Sequence, residues 1–168
     1  MILEKEYNRL NAVAYARKYA LVRNPLFFSF AGIGGNCTSF VSQCVLAGSC
    51  VMNFTPVFGW YYLSPNRRSA SWTGVEFFYN FMIENVGVGP FGIEDTLERA
   101  EVGDIIQYKT NAKNEIAGIR VLFDISAKNN EFTTEPEKDM KLVYGKVTKT
   151  FSDSINVSVN GDNAINYN

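Results

Sequence analysis

Gly34-Gly35-Asn36-Cys37-Thr38-Ser39-Phe40-Val41-Ser42-Gln43 is the stretch on which the reading of this chain turns. It sets a cysteine behind a glycine turn, where a helix is predicted to begin and run from about Thr38 to Ala47. Phe40, Val41, Cys44 and Val45 fall on one face of that helix, and Gly48 suits the position after its end. A thiol at a helix start meets the positive end of the macrodipole and unpaired backbone N–H groups. Both favour the thiolate, and the same N–H groups can form an oxyanion hole for an attacked carbonyl. Gly34 and Gly35 let the backbone turn tightly and let a substrate approach closely. The competing reading of Cys37 is a buried cysteine that happens to start a helix. Cys44, two turns further along, reads as a small core residue.

Working outward, the 168 residues contain no histidine, so a Cys–His pair cannot be assembled from them alone. The composition is globular, 46% hydrophobic and 14% aromatic, and fits one domain over residues 1–168. A net charge of −1 gives no basic footprint for nucleic acid. No apolar run reaches the roughly 18 residues of a membrane span. Met1 to Tyr7 is charged and lacks the apolar region of a signal peptide, which suggests a cytoplasmic chain or one that begins after a removed leader. Cys37, Cys44 and Cys50 form an odd set that reads as free thiols, and their spacing does not match a zinc site. No metal and no cofactor is expected.

Before the glycine turn, Glu4 to Val22 is predicted to be an amphipathic helix with Tyr7, Leu10, Ala14 and Leu21 at helical spacing and Val13, Ala16 and Ala20 widening its apolar face, ended by Asn24-Pro25. Beyond it, Pro56 to Ser71 reads as a long loop carrying Trp60-Tyr61-Tyr62. A third helix opens at Ser71-Trp72-Thr73 and is lined by Phe77, Phe78, Phe81 and Met82, and Asn85 to Gly92 breaks it. The second half is β-branched and aromatic: strands are predicted over Asp104–Lys109, Ile116–Ile125, Lys141–Thr150 and Ser154–Val159, with a tight turn at Asn160-Gly161. Helices first and strands later predict an α+β domain, N-terminal helices packed on an antiparallel β-sheet. Trp60, Tyr61 and Trp72 read either as core anchors or as the wall of a binding cleft. Asp104 reads as fixing the turn into its strand, and Arg67-Arg68 as a solvated loop able to attract a carboxylate.

Several blocks, in order, resemble the bacterial putative amidase domain family, a group related to the papain-like NlpC-type cell-wall peptidases. They are Tyr7-Asn8-Arg9 with Ala12 to Ala16, Arg23-Asn24-Pro25, the Gly34 to Cys44 signature, Trp60-Tyr61-Tyr62, Ser71-Trp72-Thr73 and Val102 to Gln107. The resemblance implies a papain-like (NlpC-like) α+β fold with Cys37 in the nucleophile position. In such enzymes a histidine opens the strand after the Gly-Asp-Ile-Ile-Gln strand. Here that stretch reads Ala117-Gly118-Ile119-Arg120-Val121-Leu122-Phe123, which sets Ile119 at the histidine position, or Gly118 or Arg120 with a shift of one. The later polar residue that orients the imidazole has no clear counterpart in Asn130 to Leu142, and Asn36 replaces the usual aspartate before the nucleophile.

The expectation is a member of this family that has lost its base and binds a peptide or peptidoglycan fragment, with Gly35, Asn36, Trp60, Tyr61 and Trp72 as candidate binding residues. Two alternatives stay open. One is an active thiol-dependent amidase using Cys37 with another base or a base from a partner chain. The other is a structural protein whose cleft is filled, with Ile119 packed against Cys37.

Overall fold

A computed structural model describes residues 3–96, 99–110, 116–121, 140–152, 157–159 and 165–167. The turn expected at Asn160-Gly161 and the far end of the Ile116–Ile125 strand lie outside them. The elements run β1 (Leu3–Glu6), α1 (Arg9–Tyr19), α2 (Asn36–Ser49), β2 (Tyr62–Ser64), β3 (Arg67–Arg68), α3 (Ala70–Thr73), α4 (Val75–Glu84), β4 (Gly89–Asp95), β5 (Ile105–Thr110), β6 (Ile116–Val121), β7 (Met140–Ser152), β8 (Val157–Val159) and β9 (Ile165–Tyr167). The class is α+β, with antiparallel pairing throughout the described strands.

β7 organises the main sheet. Its sequence, rich in β-branched and aromatic residues, suits a long strand. Its first half pairs with β5, and β5 pairs with β6. Its last residues pair with β1, while β4 covers the opposite edge from Tyr144 to Phe151. β2–β3 and β8–β9 are separate two-stranded pieces. Helix α1 packs on α2, α2 on β6, and α4 on β4.

The first helix is shorter than the spacing predicts. Glu4 does not start a helix, because Leu3–Glu6 hydrogen-bonds to β7 as a strand. Asn8 caps α1 by accepting from the Asn11 N–H at 3.0 Å. The buried face is then Ala12, Val13, Tyr15 and Ala16, and the predicted face residues Leu10 and Leu21 are 82% and 98% exposed. Tyr7 is buried all the same, from outside the helix. Its ring lies against Gly48, where a Cβ would come within 2.7 Å of Tyr7 Cζ. Gly48 is therefore inside α2 rather than past its end, and Cys50 takes the left-handed cap (φ 58°), its N–H bonding Leu46 O at 2.8 Å.

The third predicted helix is two, α3 and α4, divided at Gly74. Phe78, Phe81 and Met82 are buried, but Phe77 faces out. The glycine-rich segment after α4 does end the helix, and its last residues already belong to β4. The predicted loop after Pro56 carries the β2–β3 hairpin.

An aromatic cluster fills the core between these layers. Trp60 and Trp72 have no exposed surface; their ring centroids lie 5.0 Å apart, with Phe81 6.0 Å from Trp60 and Phe27 5.8 Å from Trp72. Ser42 joins them, donating to Trp72 O (3.0 Å) and accepting from Trp60 Nε1 (3.1 Å). A fully buried indole offers no face to a ligand, so the cleft-wall reading of Trp60 and Trp72 gives way to the core one. Tyr61 is half-buried and packs on Phe54 at 5.4 Å.

Candidate active site

Cys37 is the second residue of α2, and it is exposed. Gly35 is the N-cap at φ 85°, and the helix takes its first internal bond from Ser39 N to Gly35 O (2.9 Å). No side chain caps this start. The glycine is required twice over. Its φ lies in the left-handed region, and a Cβ would sit 2.7 Å from Thr73 O and 3.0 Å from Thr73 Cβ. The helix start is thus wedged against the end of α3. Asn36 is exposed, and its Oδ1 accepts the Phe30 N–H at 3.2 Å, which ties down the incoming loop.

The thiol opens into a cleft of about 630 Å³. One wall is the segment after α1, including Leu21, Val22, Arg23 and Phe28; another is Ile119 and Val121 of β6. Ile119 and Val121 alternate onto the same sheet face and are both buried. Gln107, directly opposite Ile119, ties β5 to the start of α4 by donating to Val75 O (3.2 Å). The structure therefore brings Cys37, Asn36 and Ile119 to one cleft and leaves Trp60, Tyr61 and Trp72 out of its lining. Among the described lining residues the ionisable groups are Tyr19, Arg23 and Cys37, with neither carboxylate nor imidazole.

A buried polar chain stands behind the thiol. Leu26 N donates to Asn24 Oδ1 (3.0 Å), Asn24 Nδ2 to Tyr15 Oη (2.8 Å), Tyr15 Oη to Gln43 Oε1 (2.7 Å), and Gln43 Nε2 to Ser39 Oγ (3.3 Å). Burial pushes the Tyr15 phenol well above its ordinary pKa, so it stays a neutral donor in this chain. The cleft wall after α1 is hung on this network. Neither wall nor network is signalled by local pattern: Asn24-Pro25 reads as a helix stop, although a buried asparagine needs partners and so marks a built corner.

Cys44 is fully buried, and desolvation pushes its thiol far above the usual range, which fits an inert core residue. Cys50 is half-buried, and no disulfide joins the three cysteines. Asp104 is a turn residue: Oδ2 accepts the Glu101 N–H (2.7 Å) and Oδ1 takes Arg9 Nη1 (2.6 Å). Arg9 also donates to Val102 O at 3.2 Å. Arg68 is engaged rather than solvated, bonding Pro65 O and Thr73 Oγ1 and lying 4.5 Å over the Phe30 ring.

A family model described as "Putative amidase domain" matches residues 6–166. Among curated proteins, the uncharacterized protein YhbB of Bacillus subtilis (strain 168) is 35% identical over 106 residues, 61% of this chain. The chain spans 32% of the length of that relative. No solved structure matches. No described helix is long and apolar enough to cross a membrane.

Proposed function

The chain belongs to the putative amidase domain family, and on that premise we propose that it holds a peptide-like ligand in the Cys37 cleft without hydrolysing it. The fold in this reading is papain-like, Cys37 stands in the nucleophile position and Ile119 where the base would stand. The observation that carries it is the pairing of an exposed thiol at an uncapped helix start with a cleft whose described lining has no imidazole or carboxylate. A positioned acid–base group is worth about 10² to 10⁴ in rate. Amide cleavage also needs a proton for the leaving amine, and its loss is not made good by the other members of the unit. The open volume favours binding over the filled-cleft alternative, since clefts of about 300 to 1,000 Å³ suit small ligands.

The same exposed thiol supports a second reading, in which a base from outside these residues completes a thiol-dependent amidase. Iodoacetamide labelling and an Ile119→His variant separate the two. In the proposed reading the native protein is alkylated at Cys37 and not at Cys44, dipeptide amides are bound but not cleaved, and Ile119→His brings cleavage that Cys37→Ala abolishes. An inert but folded Ile119→His protein with an accessible Cys37 would sink the lost-base account. Turnover by the unaltered chain that Cys37→Ala removes would establish the second reading.

A further inference from the structure

A second cleft, of about 440 Å³, shares no lining residue with the first. One side is a stripe on α4: Phe77, Asn80, Phe81 and Glu84, spaced as one helix face. Val57 and Phe58 line it from the loop before β2, and Val86 from the loop after α4. Val57 has φ 67°, and the Phe58 N–H bonds Pro56 O at 2.8 Å, closing a three-residue turn around it. Such a turn at positive φ is strained, and a β-branched residue in that region is a true outlier. The surroundings hold it there. Gly59 N bonds Thr55 O (2.8 Å), Asn53 pairs with Trp60, and Ser71 Oγ donates to Gly59 O (2.5 Å).

The strained turn leaves two large apolar side chains in solvent: Val57 is 80% and Phe58 81% exposed. Phe77 and Val86, on the same cleft, are exposed too. Four such residues around one cleft are a patch, not scattered singles. Strain that presents a patch is a mark of a contact site. The amides of Asn53 and Asn85 are spent on Val88 O, Pro90 O and each other. Glu84 is the one ionisable side chain among the described lining residues. It lies seven residues from Phe77, about 10 Å along the helix.

We propose that this cleft binds a segment of a partner protein in the polyproline II conformation that carries an apolar side chain and, three residues on, a lysine or arginine. The apolar side chain fits among Phe58, Phe77 and Val86, and the cation meets Glu84. In a polyproline II segment three residues make one full turn and span about 9 Å, close to that separation, so both side chains face the cleft. The site is independent of Cys37 and of the amidase reading.

The test is a ¹⁵N-amide titration with acetyl-Phe-Gly-Gly-Lys-amide, and in parallel with acetyl-Phe-Gly-Gly-Glu-amide. Saturable shifts are expected in residues 55–59 and 77–87, about tenfold weaker for the glutamate peptide and for the Glu84→Gln and Phe77→Ser proteins. Val57→Gly removes the strain and the side chain together, so Tm should rise by about 2–4 °C while peptide affinity falls. No shifts at millimolar peptide, equal affinity for the two peptides, or shifts confined to the Cys37 cleft would overturn the proposal. Self-association of the peptide-free protein that Phe58→Ser abolishes would assign the face to a second copy instead, and binding of N-acetylglucosamine oligomers but not peptide would assign it to a sugar; either outcome overturns it as well.

Discussion

Gly34→Ala and Gly35→Ala together measure what holds the thiol-bearing helix in place. Both glycines are left-handed, at φ 82° and 85°, so each alanine bears a conformational cost of about 1–2 kcal/mol. The smaller entropy of the unfolded alanine chain offsets about 0.4–1 kcal/mol of it. The two sites differ in space. A Cβ at Gly34 meets nothing within 4 Å, whereas one at Gly35 comes within 2.7 Å of Thr73 O, a backbone atom that cannot rotate away. Forcing that contact adds about 1–3 kcal/mol, the usual range for overpacking. For a chain of this size each kcal/mol moves Tm by about 2–4 °C. Gly35→Ala should therefore melt about 2–12 °C below Gly34→Ala, with equal urea m-values if both unfold from the same fold. The alkylation rate of Cys37 gives a second readout, since pushing α2 off α3 shifts the sulfur and leaves the fold otherwise intact. If Gly35→Ala is as stable as Gly34→Ala, α2 does not rest on Thr73, and the placement of Cys37 needs another explanation.

Asp104→Asn should cost about 2–4 kcal/mol by urea unfolding, because a side chain 3% exposed loses its charge pairing with Arg9 and keeps one acceptor for two donors. Ser42→Ala should cost about 1–3 kcal/mol and change the tryptophan emission, since it orphans the buried Trp60 Nε1. Tyr79 donates to Glu94, and that bond, more than its slight burial, pushes its phenol up to about 12. The folded state then holds this proton more tightly than the unfolded one, so this contribution is intact below about pH 10 and fades as pH rises toward 12. Ultraviolet titration should show Tyr79 ionising late, with the buried Tyr7 and Tyr15 later still, and Glu94→Gln should bring one of the late tyrosines back toward the ordinary range.

The blocks that made the sequence recognisable prove to be the ones that bind each other. Arg9 meets Val102 and Asp104, Gly35 meets Thr73, Ser42 links Trp60 to Trp72, and Asn24 reaches Gln43 through Tyr15. The α2 start, the buried Cys44 and the strands β5 to β8 were legible because each rests on local pattern: a glycine turn, a helical face, β-branched runs. The N-terminal strand was not, because four residues pair with a strand more than 140 positions away, and Tyr7 and Leu10 happen to keep helical spacing. The roles of Trp60 and Trp72 were equally hidden, since an indole in a core and one on a cleft wall look alike in sequence. The strained turn at Val57 carried no signal, as valine is among the residues least suited to positive φ.

A signature whose members hold one another reports that a scaffold persists; it does not report chemistry. Chemistry must be read at positions the scaffold does not need, and the proposed reading turns on Ile119. It is 5% exposed on the face toward α2, where an isoleucine packs without a hydrogen-bond partner. An imidazole there would need partners for two ring nitrogens, and a buried polar group without them costs about 1–3 kcal/mol. Isoleucine at this place is thus the more stable choice wherever proton transfer is not demanded. The same argument limits what Ile119→His can recover. Gln107, the cross-strand neighbour, already spends its amide on Val75 O, and the described cleft lining supplies no carboxylate to orient an imidazole. A histidine introduced at position 119 should be a destabilised, poorly oriented base, with a gain near the lower end of the range for acid–base catalysis, about 10². A second substitution that supplies an orienting acceptor should raise that gain more than it does in the presence of Ile119, which is the coupling expected of a catalytic pair rather than of two separate packing changes.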